Sequence, residues 1–158
     1  MRDNKLFLSE SLITTAGAVT NVTSGTVLNM GPLASGNLYR NLGPDDLYFY
    51  TRVETTPTST GSATLAIKLV GDNNSGMTST ALVVSQLAAT AVASVTAGTI
   101  YKTPIPRGVN IEQFLQAEYN IATAPFSAGG LMTSWIGPAG SNGEWYAYNQ
   151  NAGEVNSY

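Results

Sequence analysis

Along this chain apolar and polar positions alternate in short runs, and each run is closed by Gly, Pro, Asn or Asp. That period of two is the signature of strands with one face buried. The clearest run is "DLYFYTRVE", which puts Leu47, Phe49, Thr51 and Val53 on one face and Tyr48, Tyr50, Arg52 and Glu54 on the other. "ATLAIKLVG" repeats the pattern with Leu65, Ile67 and Leu69 inward and Lys68 outward, and these two runs are expected to pair as antiparallel neighbours. "IEQFLQAEYNIAT" sets Leu115, Ala117, Tyr119 and Ile121 against Phe114, Gln116, Glu118 and Asn120. "GLMTSWIG" alternates Leu131, Thr133 and Trp135 with Met132, Ser134 and Ile136. "KLFLSE", "TVLNMG", "TALVVSQL" and "TIYKTPI" supply further strands. The Ala-rich "AATAVASVTAG" between the last two fits neither the helical nor the strand period cleanly and is left open as a short helix.

Roughly seven to nine short strands, turn signals about every ten residues and no crossover helices predict an all-β, antiparallel two-sheet sandwich. Jelly-roll and immunoglobulin-like arrangements both satisfy the pattern, because they differ only in connection order. A length of 158 residues suits one core. The expected division is a sandwich over residues 1–137 and an extended tail over 138–158. That tail, "PAGSNGEWYAYNQNAGEVNSY", is rich in Gly, Asn and Tyr and too poor in aliphatic residues to build a core. Its Trp145, Tyr146 and Tyr148 would instead be anchors for a partner's groove.

Charge narrows the functions available. Only 11% of residues are charged, against roughly a quarter in ordinary domains, and the net charge is −3. The seven Lys and Arg are scattered, so no basic stripe exists to neutralise phosphates and nucleic acid is not an expected partner. No run approaches the ~20 apolar residues of a helical membrane span, and the N-terminus lacks a secretion-signal pattern, so a soluble product of the cytoplasm with no membrane partner is expected.

Candidate chemistry is sparse. The sequence has no His and no Cys, which removes the commonest general base, thiol nucleophiles and the triads built on them. Asp45 and Asp46 follow Pro44 in a turn, where Asp is favoured for bonding nearby amides. Glu112 and Glu118 flank a strand without an announced cleft. "GDNNSG" offers Asp72 and Asn74 at alternate positions but lacks the further carboxylates of a calcium loop, so a hairpin loop explains it better. Neither catalytic residues, metal nor cofactor are therefore expected. Arg107, held between Pro106 and Gly108, is different: a cation on a stiff turn suits a partner's carboxylate.

The ordered pieces "KLFLSESLITT", "DLYFYTRVETTPTSTGSATLAIKLVGDNN" and "YKTPIPRGVNIEQFLQAEYNIATAPFSAGGLMTSWI" resemble the capsid cement (decoration) proteins of tailed bacteriophages of the Bordetella-phage type. The similarity covers about residues 3–137 and rests most on the Pro106–Gly108 turn, the strand ending in Tyr119 and the "ATAPFSAGG" loop. The resemblance implies a jelly roll on the outside of a virion capsid, with the major capsid protein and further copies of itself as partners, a dimer before a trimer. On that reading Arg107, Gly108 and Phe126, the last as an apolar knob, would meet the capsid, and Tyr48 and Tyr50 would face another copy. A carbohydrate-binding sandwich of a phage receptor-binding or tail protein is the alternative, resting on Trp145, Tyr146 and Tyr148 beside Asn149 and Asn151.

Overall fold

The computed structural model describes residues 7–12, 21–23, 26–30, 47–78, 81–106 and 111–139. These form strands β1 (Phe7–Leu12), β2 (Asn21–Thr23), β3 (Leu28–Asn29), β4 (Leu47–Val53), β5 (Thr64–Asp72), β6 (Leu82–Ala91), β7 (Ile100–Pro104), β8 (Phe114–Ala122) and β9 (Leu131–Pro138). All pairings are antiparallel, in two sheets ordered β1-β9-β4-β7 and β2-β8-β5-β6, with β3 also on β8. The expected all-β sandwich is what forms.

The pairing is nested. β1 meets β9, β2 and β3 meet β8, β4 meets β7, and β5 meets β6, as in one long hairpin closing on its own midpoint. That hairpin is then rolled so that β9 also meets β4 and β8 also meets β5. This is the order a jelly roll produces.

The alternation read from the sequence sets the faces. Phe49, Val53, Met132 and Ile136 of the first sheet face Leu65, Ile67, Leu69, Leu115, Ala117, Tyr119 and Ile121 of the second, all nearly excluded from solvent. Burying such side chains is worth about 1.5–3 kcal/mol each before the entropy of ordering is subtracted. Lys68 stays at the surface on the opposite face of β5 and bonds Glu118 on β8, its register partner, at 3.0 Å.

One expectation changes, an open stretch resolves, and one strand forms that the sequence did not announce. β4 and β5 do not pair, since each lies in a different sheet. The link over residues 54–63 exceeds the two to five residues of a tight hairpin, and buried Pro57 and Ala63 carry it from one sheet to the other. The Ala-rich stretch splits: β6 runs on to Ala91, and a single 3-10 turn over Val92–Ser94 follows. A short strand, β2, forms at "NVT", which carries no alternating signal in three residues.

Candidate functional site

By register, the end of the sandwich where β4 finishes and β9 begins is also where β5 begins, β6 finishes, β7 begins and β8 finishes. The three connections that cross between the sheets there are residues 54–63, 92–99 and 123–130. They are joined to one another. Thr58 and Ala128 form an isolated antiparallel bridge, with Thr58 N–H donating to the Ala128 carbonyl at 3.0 Å and Ser127 N–H to the Thr58 carbonyl at 2.8 Å. The Ser59 hydroxyl donates to the Pro125 carbonyl at 2.8 Å, and the Thr58 and Ser127 hydroxyls lie 3.0 Å apart. The third connection joins through Ala97 N–H, which donates to Thr56 Oγ1 at 2.8 Å.

Two close approaches require glycine. A Cβ on Gly61 would lie 2.7 Å from the Ala124 Cβ, and one on Gly130 would lie 2.7 Å from the Thr55 carbonyl oxygen. Thr123, which opens the third of these loops in chain order, has φ of 73°, and the following Ala124 N–H donates to the Ala122 carbonyl at 2.9 Å. This is a γ-turn with a positive central φ, a rare and strained geometry for a β-branched residue. Beneath the loops Phe126 is 2% exposed and packs into the core.

The outward surface of this end consists of side chains such as Thr56, Thr58, Thr60, Thr96, Pro125 and Ser127, all exposed. Apart from Glu54, which opens the first connection and is paired with Arg52 at 3.4 Å, no charged residue occurs in 54–63, 92–99 or 123–130. A partner meeting this surface would strip no unpaired ion of its hydration, the largest cost of forming a polar contact. Loops anchored on a packed scaffold are where binding surfaces are usually found.

A family model described as Bbp16 matches residues 8–134. The chain belongs to the Bbp16 family. That places it with Bordetella-phage-type proteins, as the resemblance implies at the level of family. Among curated proteins none matches the chain. In this Bbp16-family chain the matched segment begins in β1 and ends in β9, so it contains both sheets and all three crossing connections.

Two of the expected contact residues stand elsewhere than anticipated. Phe126 is not an exposed knob: an aromatic side chain buries 150–250 Å² when it turns inward, and Phe126 joins the core cluster between the sheets. Tyr50 does point to the outer face of β4, yet it is 0% exposed. Trp135, its register partner on β9, stacks on it at 5.3 Å between centroids and 8° between planes, and the Tyr50 hydroxyl donates to the Pro138 carbonyl at 2.8 Å. Tyr48 is half-exposed, with Lys102 Nζ 3.8 Å from its ring centroid, and so keeps a surface for a partner. Arg107, Gly108, Trp145, Tyr146 and Tyr148 lie outside the described residues, as do Asp45, Asp46 and most of the 138–158 tail.

Of the other carboxylates, Glu118 is paired with Lys68 and Asp72 bonds within its own loop. Asp72 Oδ1 accepts from Asn74 N–H at 2.9 Å, and Asn74 Oδ1 accepts from Gly76 N–H at 2.8 Å. The loop is therefore the hairpin connection of β5 and β6 that the sequence suggests. Among the described residues no three His, Cys, Asp or Glu side chains gather as a metal site would require.

The site residues that the sequence did not announce are those of 55–63 and 92–99. Their signal is the absence of charge across long, Thr- and Ser-rich links, readable only once the register brings the links to one end.

Proposed function

We propose that this Bbp16-family chain is a structural capsid cement, or decoration, protein. It binds the outer surface of a tailed-phage capsid, bridges neighbouring capsomers as a homo-oligomer, a dimer before a trimer, and transforms no substrate. It is made in the host cytoplasm and works on the virion.

The observation that carries this reading is the union of the three crossing connections by mutual hydrogen bonds into one end whose only charged residue, Glu54, is paired with Arg52. Such an end loses little loop entropy when it docks and needs no catalytic group. Family membership supports a phage role, and the order of the sequence motifs supports the cement role. A protein that binds the assembled shell and not separated capsomers stabilises the shell by its binding free energy. Many copies act at once, so each contact can be modest.

The test is co-sedimentation of the purified chain with undecorated capsids of its phage, compared with an Ala128→Arg variant. The Ala128 side chain is exposed while its backbone makes the bridge to Thr58, so the substitution adds bulk and charge to the contact without entering the core. Loss of binding by a folded variant is the expected result. Full binding by the variant removes the assignment of this end, and no binding by the natural chain removes the cement reading.

A further inference from the structure

Among the described strands, β1 and β7 lie at the edges of the first sheet, and β6 lies at one edge of the second, opposite β2 and β3 on β8. An edge strand carries a row of backbone N–H and C=O groups open to a further strand, and chains usually blunt it with shortness, charge or proline. Most of these edges follow that rule. β2 has three residues and β3 two, β1 holds Glu10, and β7 holds Lys102 and ends at Pro104.

β6 departs from it. With ten residues it is the longest described strand, and it contains neither charge nor proline. No charged residue occurs anywhere between Asp72 and Lys102. Leu82 and Val83 are 40% and 45% exposed, while the aliphatic residues of β5 beside them are buried. Gln86, Ala88, Ala89 and Ala91 are exposed as well. The strand is also held in place, because Ser85 Oγ lies 2.9 Å from Thr103 Oγ1 and 2.8 Å from the Pro104 carbonyl oxygen of β7 in the other sheet.

Two bulges interrupt β6 against β5, at Val84 and at Ala88–Ala89. Between them Ser85, Gln86 and Leu87 keep a regular register with Leu69, Lys68 and Ile67, and this segment is the middle of the strand. An antiparallel pair is hydrogen-bonded alike from both sides, so such an edge is complementary to a second copy of itself turned about a two-fold axis. With the axis at Gln86, residues equidistant from it along the chain meet, Leu82 opposite Thr90 and Val83 opposite Ala89. Each copy then covers the other's exposed apolar pair. No like charges meet, the penalty that a charged strand would suffer on pairing with itself.

We propose that β6 pairs antiparallel with β6 of a second copy of this chain, joining the two second sheets into one continuous sheet across a dyad near Gln86. The inference rests on the self-association in the reading above and names its surface, along the side of the sandwich and not on the loops that would meet the capsid.

Sedimentation velocity of the isolated full chain tests it. The natural chain is expected to pass from monomer to dimer as concentration rises, with a Kd of about 10 μM or weaker, because one strand pair is smaller than a standard interface. Gln86 is exposed, so Gln86→Lys and Gln86→Glu should leave the urea midpoint nearly unchanged. Each should raise the Kd at least about tenfold, because like charges then face each other at the dyad. Mixing the two variants should restore the dimer at concentrations where neither forms it alone, a recovery that damaged folding could not give. A natural chain monomeric up to its solubility limit, a dimer indifferent to both substitutions, or a mixture no tighter than its parts would overturn the inference. The capsid experiment fails separately: a chain that dimerises in this way without sedimenting with capsids keeps the pairing and loses the cement role, and a monomer that sediments with them does the reverse.

Discussion

The hydroxyl of Tyr119 on β8 lies 2.7 Å from that of Ser134 on β9, so a hydrogen bond crosses the sandwich core from one sheet to the other. Thr51 on β4 joins it, its hydroxyl 2.7 Å from the same Ser134 oxygen, and all three residues are buried. A polar bond in an apolar core has direction, which hydrophobic contact lacks, and so helps fix how the sheets slide over one another. Ser134→Ala removes the hydroxyl that both neighbours use and should lower unfolding free energy by about 1–3 kcal/mol. Tyr119→Phe keeps the Thr51–Ser134 pair and should cost about 1 kcal/mol. Urea unfolding of the two variants checks the order, and an equal cost would show that Ser134 is not the shared partner.

The loop end stores strain at Thr123 and close contact at Gly61, and these should respond oppositely to substitution. Thr123→Gly relieves a positive φ that costs on the order of 1–3 kcal/mol, against a glycine entropy cost of roughly 0.5–1 kcal/mol. A net gain of about 1 kcal/mol is expected. Gly61→Ala forces a methyl to 2.7 Å from the Ala124 Cβ and should destabilise by about 1–3 kcal/mol. Thermal unfolding midpoints should move up for the first and down for the second.

Much of this architecture is legible in the sequence because alternation reports a local geometry. Leu115, Ala117, Tyr119 and Ile121 are separable from their neighbours by period alone, and all four are buried. What period cannot report is which strand a face meets. The separation of β4 from β5 follows from a long link and the nested closure of the whole chain, and the burial of Tyr50 follows from a register that sets Trp135 opposite it. Phe126 misleads for a related reason. A Phe among Thr, Ser, Ala and Gly reads as a loop residue, while in the folded chain its side chain joins the core.

Tyr101 on β7 gives a dependence on alkaline pH. Partial burial disfavours its phenolate and raises its pKa above the ordinary 10.0. Below pH 10 the group is neutral in both folded and unfolded chains, and its contribution to stability is complete. Between the unfolded value and the raised folded one, the unfolded chain loses the proton first, so stability falls as pH rises through that window. Tyr101→Phe should flatten this part of the fall. The measurement is the difference in urea midpoint between natural and variant chains from pH 8 to pH 11, and a constant difference would show that burial of Tyr101 has no titration consequence.

Phe126 couples the core to the candidate binding end, and its truncation separates stability from contact. Phe126→Ala leaves a cavity beneath 123–130 and should cost about 3–5 kcal/mol if the site does not collapse. The loop above it should loosen further than the sheets do, because its hold on 54–63 depends on the Thr58–Ala128 bridge and the Ser59–Pro125 bond, both near the surface. Hydrogen exchange is the measurement. The amides of Thr58 and Ser127, which donate across the two loops, should lose protection by a larger factor than those of Ile67 and Leu69 in β5. A uniform loss over all four would mean that the crossing loops have no stability of their own to lose, and that their stiffness is only that of the sandwich as a whole.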